Sequence, residues 1–209
     1  MKDLYILGAG GFGREVYGWL LDEQKLLSQY RLRGFIDDAP AALDETPIDA
    51  EVVAPFSALP DFAHAAFICG IGNVELKRKL CEPMRAKGAE FLSLIHPTAL
   101  VGRNVRLGQG VVLCPRVTLT CDIELGDLVM LNCHTSAGHD VVIEDWVTVS
   151  AHCDLTGGTQ VGEAAFLGSG VRVIPGKRIG AQAIVGAGSV VIRNVPEGGR
   201  VFGNPARSF

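Results

Sequence analysis

The sequence predicts two folds in series: an α/β domain over residues 1–90 and a parallel β-helix of hexapeptide repeats over residues 91–209. Three observations carry this. From Ile95 to Val191, every sixth residue is Ile, Leu or Val at sixteen of seventeen positions. Before Ile95, short apolar runs alternate with stretches of helical spacing. Glycine is abundant throughout, 26 of 209 residues, against an average of roughly 7%.

The first ninety residues alternate strand and helix. Leu4 to Leu7 is a buried strand ending at Gly8. Phe12 to Leu27 has helical spacing, with Val16, Leu20, Leu21 and Leu27 on one side. Leu32 to Ile36 is a second strand, ending at Asp37-Asp38, and Glu51 to Val53 a short third. Ala65 to Cys69 is a further strand, ending at Gly70-Ile71-Gly72-Asn73. Glu75 to Lys87 is a helix closed by Gly88. Such alternation implies a small parallel sheet, here half of a dinucleotide-binding fold.

Period six belongs neither to a helix nor to ordinary strand alternation. It is the repeat of a parallel β-helix. Each hexad forms one face and one corner of a triangular prism, with the aliphatic residue pointing inward. Three hexads make a coil of eighteen residues, and coils lie about 4.8 Å apart, the ordinary strand spacing. The residue after the aliphatic is Gly at 102, 108, 126, 138, 162, 168, 180 and 186.

Composition narrows the function. A net charge of -4 with 20% charged residues offers no general attraction for nucleic acid or anionic membrane. No apolar stretch approaches the roughly 20 residues of a membrane span. The six cysteines contain no C-x-x-C pair, and no export signal is evident. They read as reduced thiols of a cytoplasmic protein. Cys133, His134, His139 and Cys153 lack zinc-site spacing, so no metal is expected.

Gly8-Ala9-Gly10-Gly11-Phe12-Gly13 lies between a strand and a helix. Glycines there admit a phosphate, and a helix N-terminus attracts its charge. An NAD-dependent oxidoreductase carries the same loop. Too little chain precedes the prism for a full dinucleotide fold, so a nucleotide-diphospho-sugar fits better. Asp37-Asp38 could line the same cleft or simply form a turn. Lys77 and Arg78 read as a solvated helix face, with phosphate contact the alternative.

The aliphatic series breaks once, at Ala137, in Ala137-Gly138-His139-Asp140. The break is expected to remove a large side chain beside His139. An imidazole with an adjacent carboxylate suits a general base of near-neutral pKa. Eighteen residues beyond His139 lies Gly157, first of a Gly-Gly pair, so a backbone N–H should lie beside the imidazole. His134 and His152, also eighteen apart and continuing a column from Arg116, are the rival bases or a polar ladder. His96, before Pro97 at the junction, reads as structural, and His64 as a surface loop residue.

The glycine loop, the middle Gly-Ile-Gly-Asn, the hexads and a terminal Phe-Gly-Asn-Pro-Ala-Arg together resemble the nucleotide-sugar acetyltransferases of the left-handed β-helix hexapeptide family. The resemblance is to enzymes that N-acetylate nucleotide-linked 4-amino-4,6-dideoxy sugars, and sialic acid O-acetyltransferases share the pattern. It implies the left hand of the helix, a homotrimer with its active site between subunits, and acetyl-CoA in the groove between prisms. It places the catalytic base at His139, its polarising partner at Asp140 and the oxyanion donor at Gly157. It places nucleotide-sugar contacts at Gly10, Gly11, Phe12, Asp37, Asp38, Gly70, Gly72 and Asn73, with Asn132 at the sugar. Cofactor contacts fall at Thr148, Gly157, Ser169 and Ala187, although some relatives carry His where Thr148 stands. A sugar O-acetyltransferase or a non-catalytic hexapeptide scaffold would share much of this pattern.

Overall fold

The structure, a computed structural model, describes residues 1–208. The chain divides into two compact units, Met1–Leu94 and Ile95 onward.

In the first unit, β1 (Lys2–Leu7), β2 (Tyr30–Ile36), β3 (Val52–Ala54), β4 (Ala65–Cys69) and β5 (Glu90–Phe91) form one sheet in the order β3-β2-β1-β4-β5. Every pairing is parallel. β4 is buried along its length, as a central strand covered on both faces must be. The crossover elements are α1 (Gly11–Asp22), α2 (Gln24–Gln29) and α3 (Val74–Ala86).

The single helix expected over Phe12–Leu27 is two. Glu23 leaves helical geometry at φ -96°, ψ 73° and ends α1. The apolar stripe ends with it. Val16 and Leu20 are buried, Leu21 is exposed, and Leu27 belongs to α2. On α3 the buried residues are Lys77, Cys81 and Met84, one face at spacing four and three. Lys77 therefore lies inside, contrary to the solvated face expected of it.

The second unit is a prism of three sheets with eight, six and five strands. The first face holds Val112–Leu113, Met130–Leu131, Thr148–Val149 and their successors. The second holds Thr118–Cys121, Ser136–Ala137 and Asp154–Leu155. The third holds Glu124–Leu125, Val142–Ile143 and Gln160–Val161. From Leu100 to Val191 coil-to-coil pairing is parallel and eighteen residues apart, as in Met130 with Thr148 or Glu124 with Val142, and it shortens to sixteen at the last coil, where Ile184 pairs with Arg200. The inward aliphatics from Leu113 to Val191 are buried.

The corners follow a second rule. Every sixth residue from Asn104 to Gly188 has positive φ, between 55° and 74°. That is the left-handed position a tight turn requires. Ten of these fifteen residues are not glycine, and five of the ten are Asn, Asp or His, the types that tolerate it best. The hexad glycines do a different job. At Gly168, for example, an added Cβ would lie 2.7 Å from the backbone nitrogen of Ala187 on the next coil.

Candidate active site

Three corners run along the prism, and two carry the histidines. At the corner between the second and third faces, His139 precedes Asp140, which takes the left-handed position at φ 60°. The turn folds the acid back on its neighbour, and Asp140 Oδ2 lies 2.7 Å from His139 Nδ1. Both side chains are open to solvent, 68% and 67% exposed. With Nδ1 donating to the carboxylate, Nε2 carries the free lone pair.

The next coil completes the corner. The imidazole lies over Gly157, where an added Cβ would be 2.5 Å from Nε2. Any side chain at 157 would displace the ring. The Gly157 carbonyl accepts from Gly176, and Gly158 donates to the His139 carbonyl at 2.8 Å. No described residue accepts from the Gly157 N–H. The open Nε2 and the unspent N–H thus belong to residues that adjoin across two coils.

One coil earlier, Cys121 and Asp122 occupy the equivalent places. The Asn104 amide, 2.9 Å away, holds the Asp122 carboxyl below the usual carboxylate range. The Cys121 thiol is pushed up, first by its hydrogen bond to Asp122. It stays protonated there, a donor and not a nucleophile.

Ala137 corrects one expectation. It is fully buried and pairs with the inward Leu119, so the broken hexad frees space inside the prism and none beside His139. Outward on the same strand stands Ser136, whose hydroxyl donates to Asp154 at 2.8 Å.

The other expected residues of this unit lie elsewhere on the prism. Asn132, Ser169 and Ala187 sit at the corner between the first and second faces. There Asn132 Oδ1 accepts from the Cys133 N–H at 2.6 Å, while Ser169 and Ala187 are exposed. His134 and His152 share that corner, their rings stacked at 4.7 Å and 6°. Thr148 is buried within the first face.

In the first unit the expected cleft residues collect at the carboxyl ends of β1, β2 and β4, where an open parallel sheet binds its ligands. Gly10 caps α1 without a side-chain bond, and space stands open over Gly10. Gly13 is obligatory, since a Cβ there would strike the Gly8 carbonyl. The two acids divide their work. Asp37 accepts from the Ala9 N–H at 2.7 Å and from the Ala39 N–H at 2.9 Å, which ties the glycine loop to β2. Asp38 accepts from the Phe56 N–H through Oδ1. Both border a cavity of about 280 Å³ closed by Pro40, Val53 and Pro55. Asn73 is the N-cap of α3, accepting from Leu76 at 2.8 Å, and Gly70 packs on Gly13.

His64 is exposed and bonded to Asp61, and His96 is buried with Thr98 at 2.8 Å. Among the described residues no group of three or more His, Cys, Asp or Glu is placed to hold a metal ion. No described helix is long and apolar enough to cross a membrane.

Comparison with known proteins extends this picture. The family described as the PglD N-terminal domain matches residues 3–84. A GDP-perosamine N-acetyltransferase of Escherichia coli O157:H7 is 31% identical over 132 residues, 62% of this chain and 59% of that protein. A UDP-N-acetylbacillosamine N-acetyltransferase of Bacillus subtilis is 33% identical over 118 residues, 54% of this chain and 51% of that protein. These matches thus span little more than half of each curated relative. A crystal structure of perosamine N-acetyltransferase from Caulobacter crescentus, a histidine-to-asparagine variant in complex with CoA and GDP-perosamine, superposes with a TM-score of 0.90. It is 32% identical, over 100% of this chain and 97% of that one.

Proposed function

The chain belongs to the sugar N-acetyltransferases of the left-handed β-helix hexapeptide family, and from that premise we propose that it moves the acetyl group of acetyl-CoA onto the amine of a nucleotide-linked 4-amino-4,6-dideoxy sugar. The observation that carries this reading is the corner itself: His139 Nδ1 held 2.7 Å from Asp140, with the ring packed against Gly157 of the next coil.

The chemistry follows from that geometry. The neutral sugar amine attacks the thioester carbon, and Nε2 of His139 takes the proton that the forming C–N bond makes acidic. Asp140 orients the ring and steadies the imidazolium. Negative charge collects on the former carbonyl oxygen, where the Gly157 N–H meets it. Collapse of the tetrahedral intermediate expels the CoA thiolate, and the imidazolium can return its proton to the sulfur.

A base two-thirds exposed is a poor catalyst alone, because water screens its charges and competes for its protons. This supports a homotrimer in which a neighbouring prism covers the corner. In that arrangement His139 of one copy meets the acetyl end, and the Ser169–Ala187 corner of the next holds more of the cofactor. The glycine loop, Asp38 and the Gly70–Asn73 turn receive the nucleotide.

A thiol-release assay with acetyl-CoA tests the proposal against UDP-, GDP- and dTDP-linked 4-amino sugars and their 4-hydroxy counterparts. Release of CoA with formation of an amide is expected for at least one amino sugar. Transfer to hydroxyl acceptors alone would replace this reading with O-acetylation.

A further inference from the structure

The proposed reaction leaves unused one buried cluster of reactive side chains in the α/β unit. Cys69 closes β4, Cys81 lies on α3, and their sulfurs are 3.8 Å apart, hydrogen-bonded and not joined as a disulfide. Both are buried. Lys77 is buried beside them at 1% exposure, and no other Lys, Arg, Asp or Glu among the described residues is buried to that degree.

The three groups adjust one another. Burial pushes the Lys77 ammonium down to about 8, while attraction to the two thiols resists that fall. Cys69 is held below the usual thiol range, first by the hydrogen bond from Cys81 and further by the charge of Lys77. Cys81 is pushed up by donating that bond and by burial. Of the two sulfurs, Cys69 is the one whose thiolate the lysine charge and the neighbouring thiol favour.

We propose that Cys69 and Cys81 are an oxidisable pair that a peroxide converts to a disulfide, with Lys77 as the cation that positions Cys69. The Cys69 thiolate attacks one peroxide oxygen. The O–O bond breaks, and the departing hydroxide takes a proton to become water. Cys69 is then a sulfenic acid. The sulfur of Cys81 attacks it, an S–S bond forms, the S–O bond breaks, and the second hydroxide leaves with the Cys81 proton as water. Two thiols and one hydrogen peroxide give one disulfide and two waters.

Bonding requires the sulfurs to close from 3.8 Å to about 2.0 Å. That movement pulls the end of β4 towards α3. The next residue is Gly70, where an added Cβ would lie 2.8 Å from the Gly13 Cα, so the strand end and the glycine loop must adjust together. Oxidation is thereby coupled to the candidate nucleotide cleft.

The test treats the full-length protein with hydrogen peroxide, unfolds it in N-ethylmaleimide and maps the peptides by mass. The expected product is a Cys69–Cys81 linkage, lighter by two hydrogens and reversed by dithiothreitol. Cys81→Ser is expected to stop at a Cys69 sulfenic acid that dimedone traps. Lys77→Met is expected to slow linkage by about tenfold. Recovery of Cys69 and Cys81 fully alkylated, while the half-exposed Cys121 and Cys133 oxidise, overturns the proposal. Linkage in Lys77→Met at the wild-type rate overturns the role of the lysine. Because the readout is mass and not turnover, neither result depends on the acetyl-transfer reading.

Discussion

Two corners of the same prism present histidines one coil apart from a partner, and they do opposite things with them. At the corner between the second and third faces, the left-handed residue is Asp140, and His139 precedes it. The imidazole is free to lie over Gly157 and keeps a lone pair open. At the corner between the first and second faces, His134 and His152 themselves occupy the left-handed position, at φ 61° each, and their rings lie on one another. A one-place shift within a turn separates a base with an acid and an amide from a pair of rings that satisfy each other. Residue type alone decides little here. Place in the hexad and the residue one coil away decide the rest.

The comparison can be broken most sharply at His139. His139→Ala is expected to lower kcat by about a thousandfold, within the range of a lost general base, with circular dichroism and Tm unchanged because the side chain is exposed. Gly157→Ala comes next. Its methyl would fall 2.5 Å from His139 Nε2, and kcat is expected to drop by roughly a hundredfold with the β-helix intact. Full activity in either variant would remove the distinction between the corners. Asp140→Asn keeps the shape and loses the charge. A roughly tenfold fall in kcat is expected, with KM for acetyl-CoA little changed, measured by initial rates. The smallest effect belongs to the other corner. His134→Gln and His152→Gln are expected to keep kcat within about twofold and to cost about 1 kcal/mol in chemical denaturation, the scale of an aromatic pair. A hundredfold loss of turnover there would make the stacked corner the catalytic one.

Much of this was readable from the sequence because the prism is a one-dimensional object. Period six marks the inward residues, and period eighteen sets Gly157 beside His139. What escaped was direction and local cost. The break at Ala137 suggested room beside His139, but the aliphatic position faces inward, so the room lies in the core. The corners left little trace in composition because ten of the fifteen left-handed residues carry side chains. In the α/β unit, the burial of Lys77 had a signal that charge obscured: Lys77, Cys81 and Met84 fall on one face of α3. Asp37 and Asp38 read alike as neighbours, yet only the fold shows Asp37 bound through both oxygens to backbone N–H groups.

The fixed eighteen-residue pairing gives this domain something like three reading frames. Remove one hexad between His139 and Gly157, and every inward aliphatic keeps its place in the repeat. The core would hardly register the loss. Yet the residue brought beneath His139 would be Glu163, and each later residue would move to a different edge of the prism. Remove three hexads from a distant stretch, and every column downstream stays on its own edge. Six residues is the unit in which this chain tolerates change as a solid, and eighteen is the unit in which it tolerates change as a catalyst.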